Sequence, residues 1–197
     1  MTDPPDPIGL FQEWLALATR SDIREPDAAA LATVGLDGSP SVRMVLVRSA
    51  DERGFVFYTN LESRKGRELL SRADAGAPAA LCFWWPSLEK QVRVEGRAFP
   101  VSDAEGDAYW SSRARDSQVG AWASKQSAEL GRREQLEDKF RDLASSLPSP
   151  VPRPPFWSGF RIAPARIEFW EGRPHRLHHR VLYAREGSGW VTKILSP

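Results

Sequence analysis

Residues 29–48, AALATVGLDGSPSVRMVLVR, decide the fold class. Ala29–Val34 is an apolar run, Gly35-Leu36-Asp37-Gly38 carries turn chemistry, and Ser41–Arg48 is a second run with β-branched residues. Two such runs around a Gly/Asp turn predict a β-hairpin, because glycine and aspartate tolerate the backbone that a reversal needs. After a polar turn at Ser49–Gly54, Phe55–Tyr58 predicts a third strand.

The same reading extends outward. Upstream, Ile8, Phe11, Trp14, Leu15 and Ala18 recur at helical spacing and predict a helix over about 7–19. Downstream, Ser63 caps a predicted short helix to Arg72. Ala79–Trp85 and Gln91–Phe99 predict a second hairpin around Pro86–Glu89, with Gln91, Arg93 and Glu95 on a polar face. Helices are expected over Ser102–Arg113 and about Ser127–Leu147, the latter turning Leu130, Leu136, Phe140 and Leu143 to the core. Prolines 148, 150, 152, 154 and 155 break regular structure and predict a tether at about 148–156. Strands resume at Phe160–Ile162, Arg166–Trp170, Leu177–Ala184 and Trp190–Leu195. With six to eight hairpin-linked strands, four helices and no βαβ alternation, the expected fold is mainly β, an antiparallel barrel with peripheral helices.

Composition narrows the function classes. A length of 197 residues fits one domain with its own core. Net charge is 27 − 26 = +1, which gives no global field to recruit nucleic acid. No apolar stretch reaches eighteen residues, so no membrane span is expected. Met1–Pro7, with two aspartates and no basic or apolar run, does not read as a signal peptide. The single cysteine, Cys82, sits in an apolar run and reads as a structural thiol in a reducing, cytoplasmic setting.

The chemistry-bearing residues are mostly cationic. GxGxxG, P-loop and GxSxG patterns are absent, and His175, His178 and His179 have no partners at zinc-ligand spacing. Arginine outnumbers lysine 22 to 5. Its planar fork matches phosphate oxygens, although a general compositional preference gives the same excess. Position favours phosphate: Arg43 and Arg48 bracket one strand, Arg64-Lys65 open a helix after Tyr58-Thr59, and Arg113 and Ser117 follow Tyr109. Lys125-Gln126-Ser127 precede an expected helix start, and Arg176 and Arg180 flank His178. Five clusters that mix cations with hydroxyl or aromatic side chains suggest more than one bound phosphate.

Eight stretches then carry a specific resemblance: RMVLVR (43–48), FYTNLESRKG (57–66), LEKQVRVEG (88–96), YWSSRARDSQVGAW (109–122), SKQS (124–127), FWSGFRI (156–162), IEFW (167–170) and HRLHHR (175–180). In order and at compatible spacing, they resemble the pyridoxine/pyridoxamine 5'-phosphate oxidase family over nearly the whole chain. The resemblance implies a single FMN-binding split β-barrel domain over 1–197, a homodimer with FMN at the subunit interface, and oxidation of phosphorylated B6 vitamers to pyridoxal 5'-phosphate with O2 as acceptor and H2O2 released. By the same resemblance Arg43, Arg64, Lys65, Gln126 and Ser127 hold the FMN phosphate. Met44, Val45, Leu46, Val47, Arg48, Tyr58 and Thr59 line the flavin, and Gln91, Trp170 and Arg180 complete its pocket. Arg48, Tyr109, Arg113 and Ser117 take the substrate phosphate, and Arg176 and His178 act over the pyridine ring. Three positions depart from the family pattern: Arg48 for a lysine, His179 for an aspartate and Ala114 for a proline. The segment before the first helix is also short for a lid. The alternatives within the fold are another FMN oxidase of the phenazine-biosynthesis type and a non-catalytic flavin or pyridoxal-phosphate binder.

Overall fold

The reversal at Gly35–Gly38 forms as its residues require. The Asp37 carboxylate accepts from the backbone N–H of Ser39 at 3.0 Å and from its hydroxyl at 2.8 Å, and Gly38 takes φ +83°. In the computed structural model, which describes residues 6–197, this turn joins β1 (Ala28–Val34) to β2 (Pro40–Asp51) in antiparallel register, Leu31 facing Arg43. The strands that follow are β3 (Gly54–Asn60), β4 (Ala77–Trp85), β5 (Lys90–Pro100), β6 (Trp157–Glu171), β7 (His179–Glu186) and β8 (Gly189–Ile194). The helices are α1 (Pro7–Thr19), α2 (Arg64–Leu70), α3 (Asp103–Ser112), α4 (Arg115–Ala123) and α5 (Arg133–Ser146).

The sheet runs β3-β2-β1-β4-β5-β6-β7-β8, and β3 also pairs with β6, so the first six strands close into an antiparallel barrel. β6 splits it. Its first half pairs with β3 from Phe55↔Ile162 to Asn60↔Trp157, and its second half leaves the barrel to pair with β7. A bulge at Glu95/Gly96 accommodates the change of direction. Alternation fills the interior: Leu31, Phe55, Phe57, Leu81, Phe83, Val92, Val94, Phe160 and Ile162 are fully buried. Phe11 of α1 plugs one end, its ring 4.9 Å from both Phe55 and Phe83. Asp6 caps α1 by accepting from the N–H groups of Ile8 and Gly9.

Four expectations are corrected. Residues 127–132 are not helical: α5 starts at Arg133, and Leu130 is exposed rather than in the core. Leu136, Phe140 and Leu143 are half-buried, because α5 packs on α4 and not on the barrel. Residues 115–123, for which the sequence predicts no element, form α4, which makes five α-helices among the described residues where four are expected. The two strands expected at 160–162 and 166–170 are one strand, since Pro164 sits at the bulge, where a missing N–H costs no ladder bond. The proline-rich 148–156 segment has no regular structure but is more than a tether: Val151 is buried and its carbonyl accepts from Trp110 Nε1 at 2.8 Å. The leader reading of Met1–Pro7 falls mostly on residues 1–5, which lie outside the described residues, as does the expectation of a short lid. No described helix is long and apolar enough to cross a membrane.

Barrel closure brings the backbones of β3 and β6 together at Gly54, which takes φ +132°; a Cβ there would lie 2.0 Å from the Ile162 carbonyl oxygen. Gly54→Ala is therefore expected to cost at least about 2 kcal/mol through positive φ and backbone collision. Urea unfolding of the two proteins measures it; a loss under about 0.5 kcal/mol would show that the closure is not tight at this point.

Candidate active site

A cavity of about 540 Å³ opens beside the barrel, between the outer face of β2, the end of β3 and the α3–α4 layer. Strand alternation sets its first wall. Val45 and Val47 turn into the core, so Met44, Leu46 and Arg48 turn outward to the cavity. Tyr58, Thr59 and Asn60 supply the floor, Lys65 one end, and Tyr109, Arg113 and Ser117 the other wall. Ser124, Gln126 and Trp157 also reach it.

Lys65 owes its place to the α2 start. Ser63 caps the helix by accepting from Gly66 N–H at 3.2 Å, and this turns the Lys65 side chain inward until the residue is only 8% exposed. Its ammonium donates to Gln126 Oε1 at 3.0 Å and to Ser63 Oγ at 3.3 Å. Thr59 Oγ1 donates to the same Gln126 oxygen at 3.3 Å. Among the described residues no carboxylate pairs with Lys65. Burial, with the Arg43 charge nearby, pushes its pKa from 10.5 down to about 8. A buried ammonium that faces a cavity with only neutral partners fits an anionic ligand group.

Arg43 and Arg64 converge on one carboxylate instead. Glu68 accepts from Arg64 Nε at 2.9 Å and faces Arg43 Nη2 at 3.4 Å, with Thr33 and Ser41 hydroxyls on the same oxygen. Arg43 also donates to the Leu31 carbonyl and the Thr33 and Ser41 hydroxyls, and neither arginine lines the cavity. Ser127 lies outside it as well, with φ +70°.

The second cationic centre is Arg113. It is half-buried and unpaired by any carboxylate among the described residues; its guanidinium donates to the Ser117 carbonyl at 3.2 Å. Burial, and secondarily the Arg48 charge, lower its pKa, while nearby Tyr109 acts in the opposite direction. Arg48 differs in that Asp27 neutralises it at 2.7 Å. Ala114 takes φ −57°, a value open to proline, so its conformation matches the residue it replaces.

A separate group lies on the outer face of β4–β7. Trp84, Gln91, Trp170 and Arg180 sit opposite one another in a single row, and none of them lines the main cavity. The His178 ring is 4.5 Å from Trp170, and its Nδ1 accepts from Arg173 N–H at 3.2 Å, which leaves the proton of the neutral ring on Nε2. Arg176 is exposed in a turn at φ +62°. Buried Glu168 accepts from Arg180 Nε at 2.8 Å and from Arg93 at 3.2 Å. It thus supplies beside Arg180 the negative charge that His179 does not. Apart from Arg43, Val47, Arg64, Ser127 and Arg176, which reach neither place, the candidate residues form two groups in one chain: Met44, Val45, Leu46, Arg48, Tyr58, Thr59, Lys65, Tyr109, Arg113, Ser117 and Gln126 on the cavity, and Gln91, Trp170 and Arg180, with His178 against Trp170, on the outer sheet face.

Sequence reasoning missed Asp27, Glu68, Glu168 and Trp157. Glu68 stands at i+4 from Arg64, a spacing that pairs charges on a helix and could have revealed it. Asp27, Glu168 and Trp157 reach their partners only through strand pairing, which has no local signal.

Comparison with known proteins gives the family and the fold. A family model described as "Pyridoxamine 5'-phosphate oxidase" matches residues 16–146, and one described as "Pyridoxine 5'-phosphate oxidase C-terminal dimerisation region" matches 157–197. The chain is similar to a "Pyridoxine/pyridoxamine 5'-phosphate oxidase" of Anaeromyxobacter dehalogenans, 56% identical over 194 residues, covering 98% of this chain and 96% of that one. A protein of the same name from Myxococcus xanthus is 55% identical over 195 residues, covering 98% and 93%. Among solved structures, PhzG from Burkholderia lata, in complex with tetrahydrophenazine-1-carboxylic acid, superposes with a TM-score of 0.91 at 38% identity, covering 100% of this chain and 95% of that one. A Nostoc punctiforme FMN-binding protein shares the fold, with a TM-score of 0.79 at 20% identity, covering 98% of this chain and 100% of that one.

Lys65 should make stability depend on pH. The folded chain releases this proton near pH 8, whereas the unfolded chain holds it to about 10.5, so stability linked to Lys65 rises with pH across that window. In ligand-free protein, Lys65→Met is expected to be the more stable form at pH 7, with its advantage shrinking by about 1–3 kcal/mol between pH 8 and 10.5. Denaturant midpoints for both proteins at stepped pH measure this; an advantage independent of pH would contradict the burial cost assigned to the ammonium.

Proposed function

The chain belongs to the pyridoxamine 5'-phosphate oxidase family, and from that premise we infer that its cavity seats FMN with the cofactor phosphate at Lys65 and the substrate phosphate at Arg113. The protein is an FMN-dependent oxidase that converts pyridoxamine or pyridoxine 5'-phosphate to pyridoxal 5'-phosphate, and it acts as a homodimer. The observation that carries the site assignment is the pair of unpaired cations on one cavity, Lys65 and Arg113. A phosphorylated substrate held beside a phosphorylated cofactor needs two such centres. Bound there, FMN would supply the acceptor for the two electrons and protons that the substrate loses, and O2 would take them on as H2O2.

The chain's own residues bind and orient. Lys65, with Gln126 and Thr59 on one hydrogen-bond network, takes the cofactor phosphate. Arg43 and Arg64, which share Glu68, leave one further net positive charge behind it, and Ser127, outside the cavity in a single chain, is assigned to the same phosphate. Met44, Val45, Leu46 and Tyr58 form the wall for the flavin, whereas Val47, expected there, packs in the core. At the other end Arg113, Tyr109, Ser117 and Arg48 take the substrate phosphate, and a fork at 48 in place of a point charge changes contact geometry rather than sign. Gln91, Trp170, Arg176, His178 and Arg180 are supplied by the second copy across the dimer interface, which accounts for their distance from the cavity in a single chain. Arg176 covers the pyridine ring and His178 donates from Nε2 to its hydroxyl, so the reacting carbon is held against the flavin. β6, from the C-terminal matched region, closes the barrel of the N-terminal one, so we read the chain as one FMN-binding unit. A cytoplasmic location completes the reading, since the one cysteine, Cys82, is free.

Two sets of variants test the assignment. Lys65→Ala and Arg64→Ala should each lose roughly tenfold or more in FMN affinity, as expected for a charge-assisted contact of about 1.5–3 kcal/mol; unchanged flavin content after gel filtration would contradict the cofactor site. Among flavin-loaded variants, Arg113→Ala should raise KM for pyridoxamine 5'-phosphate with little change in kcat, because a remote phosphate contact changes little in the transition state. Arg176→Ala should lower kcat, and His178→Ala should lower it less. Wild-type kcat in Arg176→Ala at saturating substrate would contradict the ring-covering role. A protein that holds FMN but releases no peroxide with either vitamer phosphate would instead be a binder or an oxidase of other substrates.

A further inference from the structure

Arg113 raises a question that its role as phosphate ligand does not answer: what keeps a half-buried guanidinium in place with no carboxylate to hold it. Its carbon lies 4.8 Å from the centre of the Trp157 ring and 5.4 Å from that of Trp110. Trp157 is the nearer of the two platforms. It opens β6, where it pairs with Asn60 of β3, and its backbone N–H donates to the Pro154 carbonyl at 3.0 Å. The preceding carbonyl, of Phe156, accepts from Leu61 N–H at 2.7 Å. The indole is 5% exposed and lies nearly parallel to Tyr58 and Tyr109, at 5.5 and 6.1 Å and interplanar angles of 6° and 5°. Trp110 meets it edge-on at 4.8 Å.

We propose that Trp157 is a positioning residue for the substrate's phosphate: its indole face fixes the Arg113 guanidinium at the cavity wall without neutralising it. The inference rests on the reading of Arg113 as a phosphate ligand. Its physical basis is the difference between an aromatic face and a carboxylate. A ring quadrupole attracts a cation and carries no net charge, so the guanidinium keeps its full attraction for an incoming dianion. A carboxylate in the same place would hold the arginine equally well and cancel that attraction, as Asp27 does for Arg48 at 2.7 Å. Within one cavity the two arginines are thus held differently, and Arg113 is the one left to meet the phosphate with its charge uncompensated.

The test uses the flavin-loaded dimer. Trp157→Met keeps most of the side-chain volume and loses the aromatic face, whereas Trp157→Phe keeps a face. Trp157→Met is expected to raise KM for pyridoxamine 5'-phosphate about tenfold, between the values for an exposed and a desolvated cation–π contact, with kcat within about twofold and flavin content unchanged. Trp157→Phe should recover most of the loss. In an Arg113→Ala background, Trp157→Met should add little, because its effect passes through the guanidinium. Affinity for the product, pyridoxal 5'-phosphate, should follow the KM values. The proposal is overturned if Trp157→Met raises KM equally with and without Arg113, or if it lowers kcat, flavin content and melting temperature with KM unchanged, as a purely structural wall would. If Arg113→Ala alone leaves KM unchanged, the reading of Arg113 itself has failed, and this inference fails with it; that result differs from the other two because it appears before Trp157 is altered.

Discussion

Moving an ammonium or guanidinium out of water costs several kcal/mol unless an anion or a set of hydrogen bonds replaces the lost hydration. Lys65 and Arg113 are moved without a carboxylate, and the rest of the site is arranged around that cost. Lys65 is met by Gln126 and Ser63, and its proton affinity falls toward neutrality. Arg113 is met by aromatic faces and one carbonyl. On the proposed reading, a phosphate supplies in both places the countercharge that the protein withholds, so the cost of burying the cation returns as affinity.

The barrel makes this sustainable. Closure through β3 and β6 fixes Tyr58, Thr59 and Asn60 on one strand and Trp157 on the other, directly opposite Asn60. The core that carries this closure is rigid and aromatic, with Phe11, Phe55 and Phe83 in contact. Around the site the other arginines have carboxylate partners: Arg43 and Arg64 share Glu68, Arg93 and Arg180 share Glu168, and Arg48 has Asp27. Against that background the two uncompensated cations on the cavity stand out as binding groups. The row Trp84, Gln91, Trp170 and Arg180 faces outward from the same sheet, and on the proposed reading it serves the cavity of a second copy.

Much of the fold was legible locally. The Gly35–Gly38 turn, the Ser63 and Ser102 caps and the alternation of β5 all form where their residues place them. Errors came where local signal and tertiary context part. Helix-forming residues after Ser127 suggested a long helix, but Gly131 precedes its true start and packing on α4 sets its extent. α4 itself begins behind Ala114 without a side-chain cap and contains Gly120, so nothing announced it. The single strand β6 was not legible as one because the bulge beside Pro164 exists only once β5 and β6 are paired. Likewise, the cationic residues were legible by motif, whereas the side chains that hold them were not. Trp157 stood within a recognised stretch, yet its use depends on Arg113, 44 positions earlier and reached only through the fold.

If two uncompensated cations define the site, the enzyme should recognise its substrate mainly by the phosphate. Steady-state peroxide release with pyridoxamine 5'-phosphate and with unphosphorylated pyridoxamine tests this most directly. The account predicts kcat/KM for the phosphorylated amine at least about a hundredfold higher, the loss expected when a buried charged partner is left unmatched. Comparable kcat/KM for the two amines would contradict it.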